Sequence, residues 1–248
     1  MSALAVAGLS HDFGGLRALD GVTLDVATGE RRVILGPNGA GKTTLFNLVT
    51  GLLRPTAGRI RLLGRDVTRL SPHRRARLGL GRTFQITTLF PRLTVLDSVL
   101  LAVQGADGAR FALHRPLGAY RHLFERAEAL LDEWGLRARR DEAVHRLSYG
   151  EQRQLELVLA LAARPRVLLL DEPTAGLSPA ETASVVDLVR RLPREVTILL
   201  IEHDMDVALE LAERVTVLHY GRVVADGPTE AVRRDPRVTE IYLGTSDA

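Results

Sequence analysis

Apolar and polar positions alternate over residues 4–9 and again over 22–26, which predicts two half-buried strands with Gly14 and Gly15 in the loop between them. Residues 32–35 read as a buried strand that runs into a glycine-rich loop, 36–41, and then into a helical stretch, 43–50. A short strand is expected over 59–63. Two later runs, 167–170 and 196–201, are continuously apolar between charged or turn residues, the pattern of parallel strands covered on both faces. Helical periodicity follows each of them, over about 179–192 and about 204–213. This β-α alternation argues an α/β fold with a mostly parallel sheet. From 94 to 147 the pattern is helical, with a glycine- and arginine-containing break at 105–118, so residues 88–150 are expected to form a helical insert.

Composition narrows the class. The chain has 248 residues, 46% of them hydrophobic, which is enough for a real core. Cysteine is absent, so disulfide frameworks and thiol chemistry are excluded. No apolar run approaches the ~18 residues that span a bilayer. Residues 1–9 lack the basic and apolar segments of a signal peptide, so a cytosolic location is expected. The net charge of +3 is a weak footprint for nucleic acid, which is not an expected partner. Of the 33 basic residues, 32 are arginine and one is lysine, Lys42. A position that needs only positive charge is served by arginine; the lone lysine marks a place that calls for a compact ammonium.

The neighbours of Lys42 explain it. Gly36, Pro37, Asn38, Gly39, Ala40, Gly41, Lys42 and Thr43 fit the pattern G-x-x-x-x-G-K-[ST], between an expected strand and an expected helix. The glycines let successive backbone N–H groups face one anion, and the helix N-terminus adds its partial positive charge. Lys42 is placed to reach the β- and γ-phosphates, and the Thr43 hydroxyl to ligate Mg²⁺. The apolar run 167–170 ends in Asp171, a carboxylate suited to hold that magnesium. Glu172 follows it and is placed to orient or deprotonate a water. His203 follows the run 196–201 at the same expected sheet edge, where it can donate to a terminal phosphate. Gln85 offers a neutral amide to metal or water. Taken alone, His203 and Gln85 read equally as structural residues. Ser148 with Glu151, and Ser178 with Glu181, form capping-box patterns at two expected helix starts. Ser148 and Gly150 also read as an anion site.

In this order, these motifs resemble the ATP-binding cassette family of transporter ATPases over essentially the whole chain. The resemblance implies a P-loop NTPase core of the RecA-like kind, with an N-terminal antiparallel portion and an inserted helical subdomain. It places the core at 1–87 and 151–248 and the insert at 88–150. It implies that Phe13 stacks on adenine and that Thr44 joins Thr43 at the nucleotide. It also implies that Gln85, with Thr43 and Asp171, serves magnesium, and that His203 acts beside Glu172 and Lys42 in hydrolysis. ATP and Mg²⁺ are the implied cofactors. A head-to-tail dimer, homo- or heteromeric, would sandwich each ATP between one subunit's phosphate loop and the other's Ser148–Gly150 region. Two departures stand out: Tyr149 and Glu151 replace the usual third and fifth signature residues, and Ser178 stands where an aspartate is common.

Within the family, residues 79–85, 105–122, 147–156, 201–205 and 240–244 are most similar to the ATPases of branched-chain amino acid importers. That likeness implies two integral membrane permease subunits, an external solute-binding protein and a peripheral position on the inner face of the cell membrane. Cassettes for urea or amides, aromatic acids and lipopolysaccharide export are the alternatives inside the family. A soluble cassette acting on nucleic acid or ribosomes, or a metabolic phosphotransferase, are those outside the transporters. The run Arg74-Arg75-Ala76-Arg77 is expected as a solvated helix face, or as a face toward a membrane partner or anionic lipid.

Overall fold

The computed structural model describes residues 1–83, 89–107 and 120–243. It divides into two compact units, one of Met1–Arg82, Arg166–Glu172 and Leu192–Ala248, the other of Thr83–Pro165 and Pro173–Arg191. Helix α5 (Tyr149–Ala162), through which the expected boundary at residue 151 passes, lies wholly in the second unit. Gln85 and most of the 105–118 break lie outside the described residues.

The first unit holds two sheets. The smaller is antiparallel, in the order β2 (Leu16–Ala27), β1 (Ser2–Phe13), β4 (Ala57–Leu62), β5 (Arg65–Asp66). Its buried positions alternate, as one-face burial requires. The larger sheet runs β10 (Arg222–Pro228), β9 (Arg214–His219), β3 (Arg31–Leu35), β8 (Thr197–Ile201), β7 (Val167–Asp171), β6 (Leu80–Arg82). All neighbours in it are parallel except the β9–β10 hairpin. Every residue of β3, β7 and β8 is buried, which is why those three were the strands most visible as apolar runs. Strands β5, β6, β9 and β10 do not show as such runs: β5 and β6 are two and three residues long, β9 is interrupted by the buried Thr216, and β10 buries only Ala225 and Gly227.

Helix α1 (Lys42–Thr50) follows β3 and ends at Gly51, whose φ of 82° is left-handed. Its last carbonyls meet a buried cation. Arg75, in α2 (Pro72–Arg77), is 1% exposed, and its guanidinium donates to the carbonyls of Leu48, Val49, Leu70 and Thr68. The expectation of a solvated basic face is therefore corrected for Arg75, while Arg74 and Arg77 are exposed. An arginine here adds donors at the buried end of α1, where the Leu48 carbonyl also accepts from the Gly51 N–H at 3.1 Å. Burial pushes the Arg75 guanidinium down to about 10.

The second unit is helical: α3 (Val95–Ala106), α4 (Arg121–Glu133), α5 (Tyr149–Ala162) and α6 (Pro179–Arg191). Val99 and Val103, Leu123 and Leu131, and Leu155 and Val158 supply its buried faces at helical spacing. Thr94 caps α3, its hydroxyl accepting from the Asp97 N–H at 3.0 Å. Helices α7 (Met205–Leu211), α8 (Thr229–Arg233) and α9 (Pro236–Leu243) return to the first unit.

Candidate nucleotide site

Because β8 lies between β3 and β7 and all three are parallel, their carboxyl ends fall side by side. The phosphate loop leaves β3, Glu202 and His203 leave β8, Asp171 ends β7 and Glu172 follows it. Ligands of open α/β sheets bind at this edge.

The loop tolerates side chains poorly. A Cβ on Gly36 would stand 2.2 Å from the Leu218 carbonyl oxygen. Gly41 caps α1 with φ 102°, and a Cβ there would stand 2.7 Å from the Ala18 oxygen. The Ala40 carbonyl accepts from the Gly221 N–H at 3.0 Å, which ties the loop to the β9–β10 turn. Lys42 opens α1 and is 6% exposed. Its Nζ donates to the carbonyls of Gly36 at 2.5 Å and Pro37 at 3.1 Å, so the loop curls around the ammonium. Burial lowers the Lys42 pKa, and the charges of Glu172 and Asp171 offset part of that shift. Asn38, Gly39 and Thr43 are exposed on the rim, and Thr44 is half-buried.

Asp171 is 2% exposed. Burial pushes its carboxyl up, against the hydrogen bond and charge of Arg82. Glu172 is half-buried, donates its N–H to the Ile201 carbonyl at 3.0 Å, and holds φ at +47°, a left-handed conformation rare for a residue with a side chain. His203 is exposed at the end of β8, ahead of the α7 cap that Asp204 makes. Phe13 ends β1 with its ring 46% exposed and braced edge-on by His11 at 4.5 Å. That leaves an aromatic face available for a planar base. Arg82 was not among the expected site residues. Its guanidinium donates to Asp171 Oδ2 at 2.8 Å. The only sequence signal was its place just ahead of Gln85.

The second unit carries the signature segment. Ser148 caps α5 and shares a capping box with Glu151, as expected. Glu151 also accepts from Arg139 Nε at 3.0 Å, so the unusual fifth residue works within its own unit. Tyr149 lies 5.1 Å below the Arg153 guanidinium, which donates to its hydroxyl at 2.8 Å. The Tyr149 ring stands 3.7 Å from where a Gly176 Cβ would be, so the unusual third residue packs on the 175–178 loop. Gly150 leaves room for Glu181, whose carboxylate would lie 3.2 Å from a Cβ there. Ser178 and Glu181 form the second expected box, with the Ser178 N–H donating to Glu181 at 2.9 Å.

Magnesium suits the donors present. A hydroxyl at Thr43 and a buried carboxylate at Asp171 are hard oxygen ligands, and Mg²⁺ is usually held by one or two such groups plus phosphate oxygens rather than by an all-protein cage.

Known proteins resemble this chain in sequence and fold. Residues 19–175 match the ABC transporter family, and residues 222–248 match the family described as branched-chain amino acid ATP-binding cassette transporter. The chain is 40% identical over 251 residues to the high-affinity branched-chain amino acid transport ATP-binding protein BraF of Pseudomonas aeruginosa, covering 97% of each. It is 38% identical over 248 residues to the corresponding protein LivG of Escherichia coli, again over 97% of each. It is also 41% identical over 224 residues to the lipopolysaccharide export system ATP-binding protein LptB of Acidithiobacillus ferridurans, covering 90% of this chain and 89% of that one. Among solved structures, the ADP conformation of an ATP-binding cassette of an ABC transporter superposes with a TM-score of 0.85 at 30% identity, over 98% of this chain and 99% of that one. A lysine-centred phosphate loop beside a strand-end carboxylate pair, matched over nearly the full length by transporter cassettes, makes this chain a member of the ATP-binding cassette family, an ATP-binding transporter ATPase.

Proposed function

We propose that this chain powers an importer of branched-chain amino acids or a related small polar solute. It works as one half of a head-to-tail cassette dimer on two integral membrane permease subunits, at the inner face of the membrane and fed by an external solute-binding protein. The observation that carries the reading is the convergence of Lys42, Asp171, Glu172 and His203 at the carboxyl edge of one sheet. The tail match over 222–248 and the coverage of 97% of BraF support the importer. No helix among the described residues is long and apolar enough to cross a membrane.

In this mechanism Phe13 stacks on adenine, and the 36–41 amides, with Lys42 and Thr44, hold the phosphates. Thr43, Asp171 and Gln85 would hold magnesium, which would supply charge neutralisation for the phosphoryl transfer. Glu172 orients the attacking water and takes its proton, while Lys42 and His203 stabilise charge on the transferred group. Ser148 and Gly150 of each cassette close on the other's ATP, and hydrolysis reopens the dimer. The helical unit and the Gln85 segment pass that movement to the permease.

Lipopolysaccharide export is the second reading, favoured by the identity of 41% to LptB. Copurification of the chain with its membrane subunits, followed by ATPase assay in proteoliposomes, separates the two. Stimulation by a binding protein loaded with leucine, isoleucine or valine is expected. Stimulation by lipopolysaccharide, and none by loaded binding protein, would overturn the importer.

A further inference from the structure

Two elements carry the protein's expected magnesium ligands, α1 with Thr43 and β7 with Asp171, and one side chain ties them together. Arg82, the last residue of β6, has a side chain only 8% exposed. Its Nη2 donates to Asp171 Oδ2 at 2.8 Å, and its Nη1 donates to Asn47 Oδ1 at 2.7 Å and Thr50 Oγ1 at 3.3 Å. Its guanidinium also lies 5.8 Å from the centre of the Phe46 ring. Asn47 and Thr50 come four and seven residues after Thr43, so all three stand on one face of α1. The fork therefore grips the carboxylate with one arm and the Thr43 face of the helix with the other.

We propose that Arg82 is a positioning residue for magnesium-dependent nucleotide binding and hydrolysis. It sets the spacing between Thr43 and the Asp171 carboxylate and fixes the rotation of that carboxylate. The inference rests on the ATPase reading and adds a residue to it. A lysine keeps the charge beside Asp171 but cannot reach two elements at once, because its ammonium is a single point and not a planar fork. Loss of groups that orient metal ligands typically costs ~10–100-fold in metal affinity or activity.

The test uses the full-length chain, wild type, Arg82→Lys and Asn47→Ala. The readout is magnesium titration of binding of a fluorescent non-hydrolysable ATP analogue, with binding in EDTA as the baseline and ATPase rates alongside. Arg82→Lys is expected to keep the EDTA baseline, to need at least about tenfold more magnesium for half-maximal enhancement, and to lose kcat more than it raises KM. Asn47→Ala keeps the Arg82–Asp171 pair and removes one arm, so it is expected to shift the magnesium requirement the same way by less. Wild-type magnesium requirement in both variants, or a loss of nucleotide binding in EDTA equal to the loss in magnesium, would overturn the positioning role and leave the ATPase reading standing. A wild-type chain that hydrolyses no ATP would overturn both.

Discussion

Glu172 joins two facts that pull apart. It is the expected base, and its backbone is left-handed at φ +47°. Holding a residue with a Cβ in that region costs roughly 1–2 kcal/mol, a cost glycine does not bear and asparagine bears least among the rest. Three neutral replacements isolate the backbone. Glu172→Gln, Glu172→Asn and Glu172→Gly all remove the same negative charge, so the lost attraction to Lys42 is common to them. Glu172→Gly regains the ~1–2 kcal/mol of strain but gives back about 0.5–1 kcal/mol in unfolded-chain entropy. The net gain over Glu172→Gln is about 0.5–1 kcal/mol, and Glu172→Asn should recover part of the strain without the entropy cost. For a chain of this size 1 kcal/mol corresponds to ~2–4 °C in Tm.

The assay is thermal unfolding without nucleotide, because bound ATP would stabilise whichever variant traps it. The expected order of Tm places Gly and Asn about 1–4 °C above Gln, with ATP hydrolysis lost in all three. Gly and Asn melting at or below Gln would refute the reasoning that this turn stores strain. A normal turnover rate in Glu172→Gln would separately remove Glu172 from its role as base.

Lys42→Arg leaves net charge and fold intact and should lose most ATP hydrolysis, because the loop closes on the ammonium at 2.5 and 3.1 Å; steady-state ATPase measurement decides it, and near-normal activity refutes it. Arg75→Met removes the buried guanidinium's hydrogen bonds to the carbonyls of Leu48, Val49, Leu70 and Thr68 and should cost about 2–4 kcal/mol in denaturant unfolding, whereas a solvated arginine would cost almost nothing. Burial raises the Tyr242 hydroxyl to about 12, with a Gly36 hydrogen bond opposing. The unfolded tyrosine ionises first, so the wild type should lose stability between pH 10 and 12 relative to Tyr242→Phe. Parallel unfolding curves for the pair across that range would show that the hydroxyl is not held away from water.

The parts of this protein that were legible are those whose causes lie close together in the chain. Eight consecutive positions define the phosphate loop, and a strand buried on both faces shows as an apolar run, so β3, β7 and β8 and the residues at their ends followed directly. Gln85 and His203 were weak as single residues and gained weight from the set. The buried arginines had no such local cause. Arg32 is 2% exposed and bonds Glu30, two residues away, but also Asp226, which is 194 away. Arg75 reaches carbonyls 26 and 27 residues back, and Arg82 reaches a carboxylate 89 residues on. A periodicity argument assigns every arginine to water, because burying its charge is unfavourable until partners are in place. Those partners here are set by strand order and helix ends, which no short window contains. In a chain with 32 arginines the charge count therefore says little, and placement decides everything. The lone lysine was legible because its whole environment is a loop of adjacent residues. The arginine three strands away that braces the same site became visible only once β6 was laid beside β7.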